Sequence, residues 1–452
     1  MRRRALALGH VNAALWAAGN GLTSGTLLVF LAQDLGAKGL GVSLILAAPA
    51  VAGVLRLGTP TVIRRCGSEK RASLAAFAVS YLLILGQPAL AVPGLWPWGH
   101  ALAGLIALVC AHQLLEYVGQ VALLAWLRRL VPGPIRGRYF ARRQIVQLVV
   151  LAPTLLAGGW FADRWKAEAA VSRPAWTLGG YALTAALGAV CLQASLAPLA
   201  LMPGGSSDRR RRGGAEHAPP SPESPPVSPE PAPSRSDRTL SALADARFRR
   251  LLMFGCWVAV ANGVSQSAQN IFPKAVLQLG VYDLAWMRLA MQIGQIGYSR
   301  WAGGYSDRYG NRPLLIVSQS LVALGPLFYA FATPETRWLV LGAWIAWSAF
   351  AGLNIGLPNL MFKLAPPYGA AAYVGAYFGL TNVVYAATTV AAGVAFDQLG
   401  AAGAAQLLSL IGLDRFALMF LLSALLRVLG VAWLIGLPEP GAAPRPWPFR
   451  AK

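Results

Sequence analysis

Charge is scarce in this chain, and what there is has one dominant sign. Asp, Glu, Lys and Arg make up 12% of its 452 residues, and 39 basic residues face only 17 acidic ones. Soluble domains of that total length carry about twice that share of charge. Cysteine is nearly absent: Cys66, Cys110, Cys191 and Cys256 stand far apart. That spacing excludes a disulfide framework and the close pairs of a zinc site. The 4 histidines, His10, His100, His112 and His217, are equally scattered, so no metal site is expected. No phosphate-binding loop of the Gly-x4-Gly-Lys-Ser/Thr type occurs, and no local pattern supports a serine nucleophile. Neither enzyme chemistry nor a cofactor is expected.

Apolar length takes the place of charge. Hydrophobic residues make up 56% of the chain and the mean hydropathy is +0.52, values that point to a protein covered mainly by lipid. Segments long enough to cross a bilayer run over 6–32, 40–62, 72–93, 100–127, 144–163 and 176–202. Six more follow at 250–276, 284–304, 313–333, 338–362, 371–396 and 415–437. The expectation is an all-α polytopic membrane protein of twelve spans, with bundles over 1–202 and 247–437 and a tail at 438–452. Residues 203–246 are too rich in proline and serine to form a packed core and read as a disordered tether. Met1-Arg2-Arg3-Arg4 resembles the start of a signal peptide, but His10, Asn12 and the long apolar run favour an uncleaved first helix.

The basic excess gives an orientation. Of the 39 Lys and Arg, 29 fall on the side of the N-terminus, 8 fall on the other, and Arg56 and Arg427 lie within spans. By the positive-inside rule both termini and 203–246 are cytoplasmic. The charge is thus a topology signal, and nucleic acid is not an expected partner.

The two halves repeat in order. Asn20-Gly21-Leu22-Thr23 matches Asn262-Gly263-Val264-Ser265, and Tyr139-Phe140 matches Tyr377-Phe378. Gly159 through Asp163 answers Gly393 through Asp397, all at offsets of roughly 234 to 243 residues. Parallel repeats of this kind build transporters around a midplane cavity. The most informative stretch is Gly303-Gly304-Tyr305-Ser306-Asp307-Arg308-Tyr309-Gly310-Asn311-Arg312-Pro313, a polar turn between two apolar segments. Its paired small residues suit a close helix approach, and Gly310 suits a strained turn. Asp307 is placed to pair with a neighbouring arginine or to meet a helix N-terminus.

This run resembles the loop between the second and third helices of each half in the major facilitator superfamily. Gly303, Asp307, Arg308, Gly310 and Arg312 fill every slot of that family's pattern. The first-half copy keeps Arg65 and Gly67 but has Arg64 where Asp307 stands and Pro60 where Gly303 stands. The resemblance covers essentially the whole chain outside the tether. It implies a bacterial-type inner (plasma) membrane transporter in which the first, fourth, seventh and tenth helices line the cavity. If the inner gate uses an aspartate clamp, only the second-half copy supplies it.

Ionisable groups deep in a span are functional candidates by default. His112, Gln113, Glu116 and Gln120 share one face of the fourth span, with Glu116 near its middle. Glu116 is a candidate proton-coupling group tuned by His112; the competing reading is an interhelix hydrogen bond or an ion pair with Arg56. Asn262, Gln266 and Gln269 share a face of the seventh span, with Asn270 beside it. Trp347 and Asn354 share a face of the tenth. With Asn20, these are the candidate cavity residues. Arg288 is expected to snorkel to the outer interface. Asp163 and Asp397, at outer helix ends, suit a gate or a cap.

The reading is a secondary transporter of a small solute, with protons as a possible second partner, surrounded by lipid and expected as a monomer. Two rivals stand beside it: a uniporter in which Glu116 is structural, and a non-transporting assembly protein on the same fold.

Overall fold

A computed structural model describes residues 2–23, 25–55, 59–92, 95–132, 135–204, 244–364, 370–437 and 439. Arg56, most of the proline-rich tether and most of the tail therefore lie outside the described residues. Among the described residues the regular structure is helical, because a backbone in lipid must satisfy its own polar groups.

The first half comprises α1 (Arg2–Thr23), α2 (Thr26–Asp34), α3 (Gly39–Leu55), α4 (Thr59–Cys66), α5 (Glu69–Ile84), α6 (Gln87–Leu90), α7 (Trp98–Leu130), α8 (Arg136–Ser172), α9 (Gly179–Ala194) and α10 (Leu196–Leu201). The second comprises α11 (Ala246–Ala275), α12 (Val281–Tyr309), α13 (Asn311–Ala323), α14 (Gly325–Ala330), α15 (Leu339–Ala346), α16 (Phe350–Leu364), α17 (Ala370–Leu399), α18 (Ala402–Leu410) and α19 (Arg415–Ile435). Several expected spans are broken helices. The first is split at Gly25, whose φ of 65° interrupts α1 before α2 begins. The tenth is split by a 3-10 turn over Trp347–Ala349.

Ten helical stretches among the described residues are long and apolar enough to cross a membrane. Two of the twelve expected spans are helical but fall outside that set. The second is divided between α3 and α4, each too short alone. The eighth, α12, is 29 residues long but carries Asp283, Arg288, Arg300, Asp307 and Arg308.

The repeat seen in the sequence is a repeat in packing. Gly9 on α1 faces the Tyr139 hydroxyl of α8, and Gly255 on α11 faces the Tyr377 hydroxyl of α17. Gly21 lies against Thr154, and Gly263 against Thr388 and Thr389. In each half, a glycine on the first long helix admits a side chain from the fifth. Phe77, Tyr81, Leu123 and Trp126 form the core of the first half. Phe254, Phe272, Tyr329 and Phe420 anchor the second. Leu82, Val149, Leu187, Ile293 and Leu425 point outward, as a lipid-facing surface requires.

Candidate functional site

Two cavities adjoin, one within the first half with Arg288 of the second on its wall and one lined by both halves. The larger, about 650 Å³, is walled by α1, α7 and α8 and reaches toward the face that carries Leu124, Phe140 and Arg143. The smaller, about 330 Å³, lies deeper, between α2 and α11, and is floored by Tyr329, Trp344 and Trp347. Gly25 and Arg288 line both.

The fourth-span stripe is brought together as its spacing demands. Gln113, Glu116 and Gln120 line the larger cavity with Asn20. Glu116 and His112 are 5% and 4% exposed, and Glu116 Oε2 lies 3.2 Å from His112 Nε2. The other carboxylate oxygen accepts from Trp16 Nε1 at 2.7 Å. Behind it, His112 Nδ1 is 2.8 Å from Ser80 Oγ on α5. This is a chain of exchangeable groups leading from the cavity into the first half. Two of its members, Glu116 and His112, carry side chains that titrate in water, the imidazole near neutrality. The alternative partner Arg56 lies outside the described residues.

In the second half, Gln266, Gln269 and Trp347 line the smaller cavity together with Asn270. Asn262 and Asn354 line neither cavity; Asn262 is half-buried and Asn354 exposed. The amides partly satisfy themselves: Gln269 Nε2 donates to Ser265 Oγ at 2.6 Å, and Asn270 Nδ2 donates to the Gln266 carbonyl at 2.9 Å.

Arg288 does not snorkel. It sits seven residues into α12, about 10 Å along the helix axis, and its guanidinium turns into the protein beside Gly25. Arg143 reaches the larger cavity as well, held by the Gly9 carbonyl at 2.6 Å and Asn12 Oδ1 at 3.2 Å. Arg143, Gln144 and Gln147 of α8 were missed at the sequence level. The signal was present: Phe140, Gln144, Gln147, Leu151 and Leu155 follow steps of three and four on one face.

The polar turn is mostly helix. Gly303 through Tyr309 continue α12, and only Gly310, with φ 94°, breaks it before α13. Gly67 makes the equivalent break, with φ 74°, after Arg65 and Cys66 in the first half. Gly303 and Gly304 have no neighbour within 4 Å, so they admit no second helix. Asp307 and Arg308 are exposed, and Asp307 has no partner among the described residues. The acid that meets a helix N-terminus here is Glu439. Its carboxylate accepts from Asn311 N at 2.8 Å, Asn311 Nδ2 at 2.9 Å and Arg312 N at 2.9 Å, and pairs with Lys363 at 2.8 Å. Burial alone would raise its pKa, but Lys363 and these donors outweigh that and hold the carboxyl below its usual value. Nothing in the linear sequence links residue 439 to residue 311.

The halves are joined at the face opposite Gly67 and Gly310. Asp163 of α8 accepts from Val281 N and Tyr282 N, the first residues of α12, at 3.1 and 2.9 Å. Asp397 of α17 accepts from Gly39 N and Leu40 N, the first residues of α3, at 2.7 and 2.9 Å. Lys166 and Lys274, one from each half, converge on Asp34 at 2.7 and 2.8 Å. Ser43 and Ser267 share a short hydrogen bond across the same seam. These contacts close the far end, and the larger cavity extends from Gly25 to Phe140 and Arg143, toward the basic face.

Comparison with known proteins agrees with this geometry. The family model of the Major Facilitator Superfamily matches residues 10–392. A D-xylose transporter of Levilactobacillus brevis is 30% identical over 115 residues, a stretch that spans about a quarter of either protein. The fold is similar to a nucleoside transporter NupG (TM-score 0.63, 13% identity, 96% of this chain and 99% of that one). It is equally similar to the xylose transporter XylE from E. coli (TM-score 0.63, 12% identity, 98% and 97%). At such identities the likeness is one of fold alone. Together with the match along most of its length, the paired bundles and the cavity between them, this chain belongs to the Major Facilitator Superfamily, as a multi-pass membrane protein.

Proposed function

We propose that this protein carries a small solute across the bacterial inner membrane by alternating access, with both termini cytoplasmic and the cavity open to the cytoplasm in this conformation. The observation that carries the reading is the asymmetry of the seam. One end is closed by paired caps from both halves, and the other opens onto a cavity lined by amides and ionisable groups. An open, polar-lined cavity supports transport over an assembly role.

Protons are coupled through Glu116 and His112. Glu116 faces the cavity, His112 backs it, and Ser80, Trp16 and Tyr81 are the groups packed around them. Arg143 lines the same cavity and Asn20 lies within reach of the carboxylate. When the basic face closes, Asp307 and Arg308, unburied here, are the groups that meet the first half beside Arg65.

The test begins with a thermal-shift screen of the purified protein against a metabolite panel at two pH values. Ligands found are then followed in proteoliposomes carrying a pH gradient. Wild-type protein accumulates the ligand, whereas Glu116→Gln exchanges it but only equilibrates. A Glu116→Gln protein that still accumulates ligand against its gradient would sink the coupling and leave a carrier driven by other means.

A further inference from the structure

We infer that the solute is an organic monocarboxylate, and that Arg288, beside the N-terminus of the broken first helix, binds its carboxylate. This rests on the transporter reading above and names the substrate class of the same site.

The charges of the cavity are the starting point. Two guanidiniums, Arg143 and Arg288, and one carboxylate, Glu116, line the larger chamber. Glu116 is already engaged by His112 and Trp16. Arg143 is held by a carbonyl and an amide oxygen. Arg288 has no hydrogen-bond or ion-pair partner among the described residues, although it lines both chambers at their junction. A half-buried cation without a partner inside a span is costly within a membrane protein and marks a pathway or a ligand site.

The second observation is the helix break. Gly25 holds φ 65° and, as the N-cap of α2, offers no side chain to that helix's first N–H groups; Gly25 and Thr26, at the helix start, line the smaller chamber together with Arg288. A Cβ on Gly25 would stand 3.1 Å from Arg288 Nη1, so the guanidinium and the helix start address the same point. Half-helix N-termini aimed at a midplane cavity are suited to anionic groups. Guanidinium adds bidentate geometry that matches a carboxylate.

Glu116 in the adjoining chamber argues for a single negative charge, because a phosphate dianion would be repelled there. Gln266, Gln269 and Asn270 offer hydrogen bonds to hydroxyl groups, and Trp344 and Trp347 supply apolar walls. Arg288 and a monoanion together are neutral, which lowers the electrical cost of moving the loaded site.

The test measures binding by the full-length protein in nanodiscs, using melting temperature and tryptophan fluorescence. The probes are D-gluconate, D-glucuronate, quinate, L-lactate and benzoate, each beside its primary amide, with D-xylose as a neutral sugar. The expected result is that one or more acids bind while their amides and D-xylose do not. Arg288→Gln weakens the acid about 10- to 100-fold, the scale of losing a hydrogen bond to a charged group. Arg288→Lys keeps part of the affinity. Arg288→Gln protein that melts as a folded species shows that lost binding is not lost folding. The inference is overturned if no acid binds the wild type, if acid and amide bind alike, or if folded Arg288→Gln retains wild-type affinity. Acid binding without proton-driven accumulation would uphold this inference and defeat the coupling; accumulation of a neutral solute would do the reverse.

Discussion

Asp163 and Asp397 hold equivalent places in the two halves, and each caps the first turn of a helix belonging to the other half. A carboxylate on free N–H groups at a helix start combines charge-assisted hydrogen bonds with the helix dipole. Each cap contributes about 1–2 kcal/mol to the closed far end. Replacing either by Asn removes the charge and one good acceptor, shifting the conformational balance roughly fivefold to thirtyfold toward the state open at that end. Labelling of an Asn270→Cys variant with a membrane-impermeant maleimide from outside reads the shift directly. It should rise in Asp163→Asn and in Asp397→Asn, and an unchanged rate in both would show the caps to be incidental.

The same end is sealed by contact between two glycines. A Cβ on Gly393 would lie 2.7 Å from the Gly39 carbonyl oxygen, and one on Gly39 would lie 2.6 Å from that of Gly393. Neither backbone can yield as a flexible side chain would. Gly393→Ala is therefore expected to cost about 1–3 kcal/mol in this conformation, prising α3 from α17. The check is maleimide labelling at the same Asn270→Cys position. Gly303→Ala, with no neighbour to meet, serves as the comparison and should change nothing.

Glu439 gives the second half a pH-dependent brace. Its folded carboxyl titrates below the ordinary value, chiefly because Lys363 and the N–H groups of Asn311 and Arg312 outweigh the effect of burial. A depressed pKa means the stabilisation is complete above the unfolded value of about 4.3 and is lost as pH falls through the folded value. Glu439→Gln should lower stability near neutrality by about 1–2 kcal/mol, the scale of a lost helix cap. Thermal unfolding of both proteins between pH 3 and 8 tests this. The gap should be constant above about pH 5 and close as pH falls through the depressed folded value; a gap that grows on acidification would contradict the assignment.

The sequence made the architecture legible because lipid allows few solutions. Long apolar runs, the basic side and the paired glycines each follow from a constraint that acts on neighbouring residues or at a fixed repeat. The stripe of Gln113, Glu116 and Gln120 was legible for the same reason: helical spacing dictates it. Arg288 was not, because an arginine close to a span's end reads as interfacial. The start of α12 at Val281 and the break at Gly25 together turn it inward. Glu439 was also hidden, since its partners lie 127 and 128 residues away. Asp307 and the glycine pair were conspicuous in sequence, yet in this conformation they face open space.

Alternating access requires the two faces to open and close in opposition, which pulsed electron-spin distance measurement reads. With Cys66, Cys110, Cys191 and Cys256 replaced by serine, spin labels at Arg65 and Arg308 report the basic face. A second pair at Glu168 and Glu335 reports the far face. Long distances at the basic face and short ones at the far face are expected in the parent protein. The Asp163→Asn/Asp397→Asn double variant should shorten the first pair and lengthen the second. Distances at the two faces that fail to change in opposite directions would contradict rocking of the halves about the cavity.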